Sequence, residues 1–161
     1  MFLLHCSPDL PEAVPAGTRH YLAAVARRVL TVHAAGGPVE AILTDDVEVR
    51  RLNASFRGRD RSTDVLSFSL REDPDCRNGD GSVLSPAEFE APAGEIYISL
   101  PHATVQATER GVTVEAELTR LLVHGLLHLA GFDHQTAAEL EAMEREMERF
   151  VCPTPCPAGQ R

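Results

Sequence analysis

Apolar side chains recur along this chain with two periods, and the switches between them outline its elements. The short apolar run FLLHCS predicts a first strand. Tyr21, Leu22, Val25, Val29 and Val32 then fall close to helical spacing within GTRHYLAAVARRVLTVHAAGG, and Gly36 and Gly37 predict the stop. VEAILTDD reads as a second strand whose terminal acids suit the cap of the next helix. That helix, VEVRRLNASF, carries Val47, Leu52 and Phe56 and stops at Gly58. TDVLSFSL alternates Val65, Ser67 and Ser69 against Leu66, Phe68 and Leu70, the pattern of a strand buried mainly on one side.

Residues 71–93 carry two Arg against six Asp or Glu, with Pro and Gly throughout, which predicts a long, exposed and poorly ordered connection. GEIYISL is then a strand expected to pair antiparallel with TDVLSFSL. Pro101 suits the start of a short helix that ends at Gly111. TVEAELTRLLVHGLLHLAG has Thr113 as N-cap and Glu115 and Glu117 in its first turn. From Leu121 onward it is apolar around most of its circumference, which predicts a central, buried helix. The last helix opens on a capping box, Thr136 to Glu139, and its stripe of Leu140, Met143, Met147 and Phe150 reads as core. The order β-α-β-α-β-β-α-α-α predicts an α+β fold: a small mixed sheet of about four strands covered by helices, in a single domain of residues 1–151. Residues 152–161 read as a disordered tail.

The buried helix carries the chemistry. In HGLLHLAGFDH, residues 124–134, histidines stand at i, i+4 and i+10. His124 and His128 lie about 40° apart on one helix face. His134 would point away if the helix continued, but Gly131 can take the left-handed conformation that ends it and turns the chain back. Three imidazoles converging on one point are the ligand set of a catalytic zinc site with one position open. Isolated imidazoles on so apolar a segment would be costly to bury without partners. A closed, structural site would need a fourth protein ligand. Asp133, Cys152 and Cys156 are available, although Asp133 adjoins His134 and better suits support of the ligands from behind. Metzincin peptidases share the spacing, H-E-x-x-H-x-x-G-x-x-H, but their general base is the glutamate, and that position here is Gly125. Proteolysis is disfavoured accordingly.

Charge adds a second feature. The net charge is −9, which argues against a general nucleic-acid coat protein. No lysine occurs, and of fifteen arginines five fall in RRLNASFRGRDR: Arg50, Arg51, Arg57, Arg59 and Arg61. From charge alone the cluster reads equally as a solvated helix end or as a polyanion contact. The N-terminal MFLLHCSPDL has no basic leader, and no apolar run approaches the ~20 residues of a membrane span, so the expected location is cytoplasmic. The four cysteines form no framework and are expected to be reduced.

HGLLHLAGFDH resembles the H-G-x-L-H-L-x-G-x-D-H motif of the YbeY family of bacterial endoribonucleases, the rRNA maturation factors. LNASFRGRDRSTDVLSF, residues 52–68, resembles that family's L-N-x-x-[FY]-R-G-K-D-x-P-T-[DN]-V-L-S-F, and GEIYISL stands where it has G-D-I-x-I. Ser62 replaces the usual proline, Glu95 the usual aspartate and Arg59 the usual lysine, and the connection at 71–93 is longer. The resemblance implies a metal-dependent endoribonuclease that acts on ribosomal RNA, notably in maturing the 3′ end of small-subunit RNA, and in ribosome quality control. It implies His124, His128 and His134 as ligands of one zinc ion, with nickel or another transition metal as alternatives. It implies catalytic roles for His124 and Arg57. The expected partners are single-stranded RNA, ribosomal RNA and the small ribosomal subunit, with no membrane and no DNA.

The chemistry is coherent from below. A three-histidine zinc lowers the pKa of a bound water toward ~7 or polarises a phosphoryl oxygen. The planar guanidinium of Arg57 can hold two phosphate oxygens at once, and Arg59 and Arg61 can guide a single-stranded backbone with little base specificity. The general base stays open between metal-bound hydroxide, the RNA 2′-OH with a metal-bound base, and Asp64. No aromatic stacking platform is expected, because Phe56 and Phe68 read as core. Two other functions remain: a metal-dependent hydrolase of another substrate, and a non-catalytic ribosome-assembly factor with a structural metal.

Overall fold

The computed structural model describes residues 1–10, 14–33, 35, 37–70, 93–133 and 135–151. Its elements are β1 (Phe2–Cys6), α1 (Ala16–Val32), β2 (Val39–Thr44), α2 (Asp46–Arg57), β3 (Val65–Ser69), β4 (Gly94–Ser99), α3 (Leu100–Arg110), α4 (Val114–Leu129) and α5 (Ala137–Glu148). Order and type match the sequence expectation throughout, and several helix starts carry a local signal. Asp45 accepts the Glu48 N–H at 2.9 Å, Thr113 accepts the Ala116 N–H at 3.1 Å, and Thr136 with Glu139 closes the capping box.

The four strands form one mixed sheet in the order β1-β2-β4-β3. β1, β2 and β4 run parallel, and β3 is antiparallel to β4 at an edge. Register then sorts the side chains. Val39, Ala41 and Leu43 share a face with Ile96 and Ile98, and helices α1 and α4 close over them in the main core with Leu22, Val25, Leu122 and Leu126. On the other face α2 lays Val49 and Leu52 on Leu66, with Phe68 and Tyr97 at the margin. Val65, Ser67 and Ser69 therefore share the face that α4 covers, with Val65 and Ser67 half-buried and Ser69, at the strand end, exposed.

Several side chains read as core are not buried. Val47 is 75% exposed and Phe56 69% exposed. The buried stripe of α2 is Val49, Leu52 and Asn53. Val47 points to the opposite side of that helix. Phe56 is in line with Val49, but its ring rests on half-buried Phe68 of the edge strand and is otherwise left open. Val32 and Leu140 are likewise exposed, whereas Met143 and Phe150 are buried as expected. α1 stops at Val32, before Gly36 and Gly37. The next residue, His33, is drawn away by Glu146 of α5 at 2.7 Å and stands edge-on to Phe132 and Phe150. The expected exposed connection, residues 71–92, and the expected tail, residues 152–161, lie outside the described residues. Ala93, the last residue assigned to that connection, is buried and donates its N–H to the Pro38 carbonyl.

Candidate functional site

α4 is the most enclosed helix. From Leu121 to Leu129 every residue is buried except His124 and His128, which are half-exposed and open on the same side. Their rings meet edge to face at 4.6 Å, and the two Nε2 atoms are 3.2 Å apart. The donor set fits a metal. Two nitrogens bound tetrahedrally at about 2.0–2.1 Å would be separated by roughly 3.3 Å. His128 also has the tautomer a ligand needs: its Nδ1 lies 3.0 Å from the Phe132 carbonyl, which only accepts, so Nδ1 carries the proton and Nε2 keeps its lone pair. The third expected ligand, His134, lies outside the described residues, as do Cys152 and Cys156; among the described residues no three ligating side chains form a metal cluster.

Two glycines make this geometry possible. Gly131 has φ +95°, and around it the Gly131 and Phe132 N–H groups return to the carbonyls of His128 and Leu127. The expected left-handed helix end is therefore present, and it is what delivers the Phe132 carbonyl to His128. Gly125 faces the sheet. A β-carbon there would lie 2.8 Å from Ile96 Cγ2, so any side chain at the position where a metzincin carries its base would force Ile96 to shift. Gly125→Ala should cost about 1–2 kcal/mol, an overpacking penalty of about 1–3 less part of the ~1 that alanine gains over glycine in a helix. Thermal melts check this, and the cost should fall in an Ile96→Ala background; equal costs in both would show that the contact is not responsible.

The histidines open into a cavity of about 460 Å³, which Arg57, Asp64, Ser67 and Asp133 also line. Arg57 arrives from the far side of the sheet. α2 ends at Gly58 (φ +64°) beside edge strand β3, and the guanidinium bends over that edge to donate to the Ser67 carbonyl at 3.3 Å. Buried Asn53 holds the turn that follows: its carbonyl accepts the Arg59 N–H, and its amide donates to the Arg61 carbonyl at 2.7 Å. Arg59 and Arg61 are exposed on this turn and neither lines the cavity with the histidines. Arg61 borders a separate hollow with Asp46 and Arg50.

Asp64 is in the cavity but is a weak candidate for the base. Burial would raise its pKa, yet hydrogen bonds from Gln106, Val65 N–H and Thr63 outweigh it and hold the carboxyl below the ordinary carboxylate range. A carboxylate so stabilised takes up a proton reluctantly. A network the sequence did not reveal backs it. Glu117, 1% exposed, accepts from Arg120 at 2.6 and 2.9 Å and pairs with Arg110 at 3.6 Å. Arg120 in turn reaches Gln106 at 3.4 Å and Asp64 at 4.0 Å. The spacing of Arg120, His124 and His128, each one turn after the last, was the available signal that all three share a face.

The family model described as endoribonuclease YbeY matches residues 12–152. The chain belongs to the YbeY family. A Gloeobacter violaceus protein named endoribonuclease YbeY is 49% identical over 109 residues, 68% of this chain and 53% of its own length. One from Chelativorans is 42% identical over 136 residues, 81% of this chain and 77% of its own, and one from Moorella thermoacetica is 39% identical over 155 residues, 92% and 96%. A Thermotoga maritima protein solved in solution superposes with a TM-score of 0.58 at 28% identity, covering 93% of this chain and 89% of that one. The Gloeobacter, Chelativorans and Moorella relatives are endoribonucleases by name, hydrolases of RNA. Arg57, His124 and His128, which carry the family motifs in this chain, meet in one cavity although they come from opposite faces of the sheet. No helix among the described residues is long and apolar enough to cross a membrane.

Proposed function

We propose that this chain is a metal-dependent endoribonuclease of single-stranded RNA, that it acts in the cytoplasm on ribosomal RNA, and that it serves small-subunit 3′-end maturation and ribosome quality control. The observation that carries the reading is the convergence of two facing imidazole Nε2 atoms and one guanidinium on a single open cavity. His124, His128 and His134 would hold the ion. A zinc or similar ion bound there supplies Lewis acidity toward a phosphodiester and its attacking oxygen.

The protein's own groups do the rest. Arg57 takes two non-bridging oxygens of the scissile phosphate in its fork, which gains strength as charge accumulates in the transition state. The Ser67 carbonyl, accepting the Arg57 N–H, aims that fork inward. The Phe132 carbonyl fixes the His128 ring so that Nε2 faces the reacting centre. Arg59 and Arg61, on the turn beyond Gly58, attract the backbone outside the cavity. With fifteen cations against twenty-four acids, the rest of the surface repels RNA and confines binding to this side.

The test is metal analysis of the purified protein joined to cleavage of a single-stranded ribosomal RNA fragment. About one transition-metal ion per chain is expected. A chelator should abolish cleavage and added zinc or nickel restore it, while DNA of the same sequence stays intact. Cleavage indifferent to chelation would remove the metal from the mechanism. A bound metal without cleavage would favour the assembly-factor alternative.

A further inference from the structure

We propose that the exposed ring of Phe56 is a stacking platform for a nucleobase of single-stranded RNA, adjacent to the phosphate held by Arg57. The inference rests on the endoribonuclease reading and extends it to how the strand is gripped.

A large aromatic ring at 69% exposure forgoes the burial its side chain would otherwise gain. Phe56 is nonetheless a built feature. Phe68 supports it from below at 5.1 Å, tilted by 55°, and Tyr97 supports Phe68 at 6.0 Å in an edge contact. One turn back, Leu52 and Asn53 are buried and pin the helix. The ring is thus held before any ligand arrives, and stacking on it costs little rotamer freedom.

The charges around it discriminate further. Of the five clustered arginines, Arg50 is paired with Asp60 at 2.7 Å and Arg51 with Glu48 at 2.6 Å. Arg57, Arg59 and Arg61, which immediately follow Phe56, form no ion pair among the described residues. An aromatic face bordered by uncompensated guanidiniums is the combination that binds single-stranded nucleic acid: bases stack, and cations track the phosphates. Val47 is more exposed still, but it has no ring and lies on the other side of α2, so exposure alone is not the criterion.

Geometry connects the platform to the reaction. Neighbouring helical residues diverge by about 100°. Arg57 can therefore reach over the edge of β3 into the histidine cavity while Phe56 stays on the α2 side. A strand crossing that edge sets one base against the ring and the next phosphate against the guanidinium. A duplex, with its bases already stacked on each other, has no face to offer. The platform therefore selects single strands.

The chain has no tryptophan, so Phe56→Trp installs a unique fluorescent reporter at the platform. A saturating single-stranded oligoribonucleotide should quench its emission, and the same strand annealed to its complement should not. In cleavage, Phe56→Ala should raise KM for single-stranded RNA about tenfold or more, the size expected for one lost base stack, with kcat, melting temperature and metal content close to the parent's. Phe56→Tyr should retain parental KM. Phe56→Leu, apolar but without a ring, should behave like Phe56→Ala. Unmoved emission at saturation, or a Phe56→Leu protein with parental KM, overturns the platform and leaves the ring to a protein contact. A parent that cleaves no RNA overturns the nuclease reading instead, and quenching of the Phe56→Trp protein would still decide whether a base stacks there.

Discussion

Alanine at position 57 is expected to slow cleavage of single-stranded RNA by roughly 30- to 900-fold, the ~2–4 kcal/mol that one preorganised donor contributes to a charged transition state. The fold should not notice. Arg57 is exposed, and its described hydrogen bond is a 3.3 Å contact to the Ser67 carbonyl, so the stability change should stay within about 0.5 kcal/mol. Metal content should also be parental, because a guanidinium is not a ligand. Arg57→Lys separates charge from shape: it keeps the cation but loses the planar fork, and should bind RNA while cleaving it much more slowly. Cleavage rate, metal content and melting temperature on these two variants decide the matter. Parental cleavage by Arg57→Ala would defeat the phosphate clamp. A slow variant that had also lost its metal or its fold would make Arg57 structural.

Replacing His128 by alanine should have the opposite signature. It removes one of the two facing Nε2 donors and leaves the Phe132 carbonyl without its imidazole partner. Metal should be absent after dialysis, and cleavage should disappear with it. The parent should melt higher when loaded with zinc. At a free metal concentration about 100 times Kd the linkage gain is about 2.7 kcal/mol, or roughly 5–10 °C for a domain of this size. Zinc should not move the His128→Ala melt. A His128→Ala protein with full metal occupancy would refute the three-imidazole site.

How much of this was legible beforehand depends on the range of the signal. Helix starts at Asp45, Thr113 and Thr136, the stop at Gly58 and the break at Gly131 were readable because caps and left-handed turns are set by residues within one turn of each other. The facing of His124 and His128 follows from helical periodicity for the same reason. Burial in α2 was misread because a period says which side chains share a face and not whether the face is covered. Phe56 has the right phase, but its support is Phe68 of the edge strand alone and the ring stays exposed. The serines of β3 were ambiguous in the same way, since a polar stripe looks alike whether it meets solvent or a cavity.

By itself, then, the sequence determined the element order, the capped ends, the α+β class and the two imidazoles on one helical face, all products of local sterics and hydrogen bonding. The motif resemblance further pointed to the family that the comparisons establish. Tertiary structure alone decided that the Arg57 side chain crosses the edge of β3 into the cavity that His124 and His128 line. It decided that Ile96 fills the space a side chain at Gly125 would need, and that Phe56 stays uncovered. The physical reason is the order of the strands. Antiparallel pairing puts β3 outside β4, and that single edge sets both the arginine's path to the histidines and the gap above the ring.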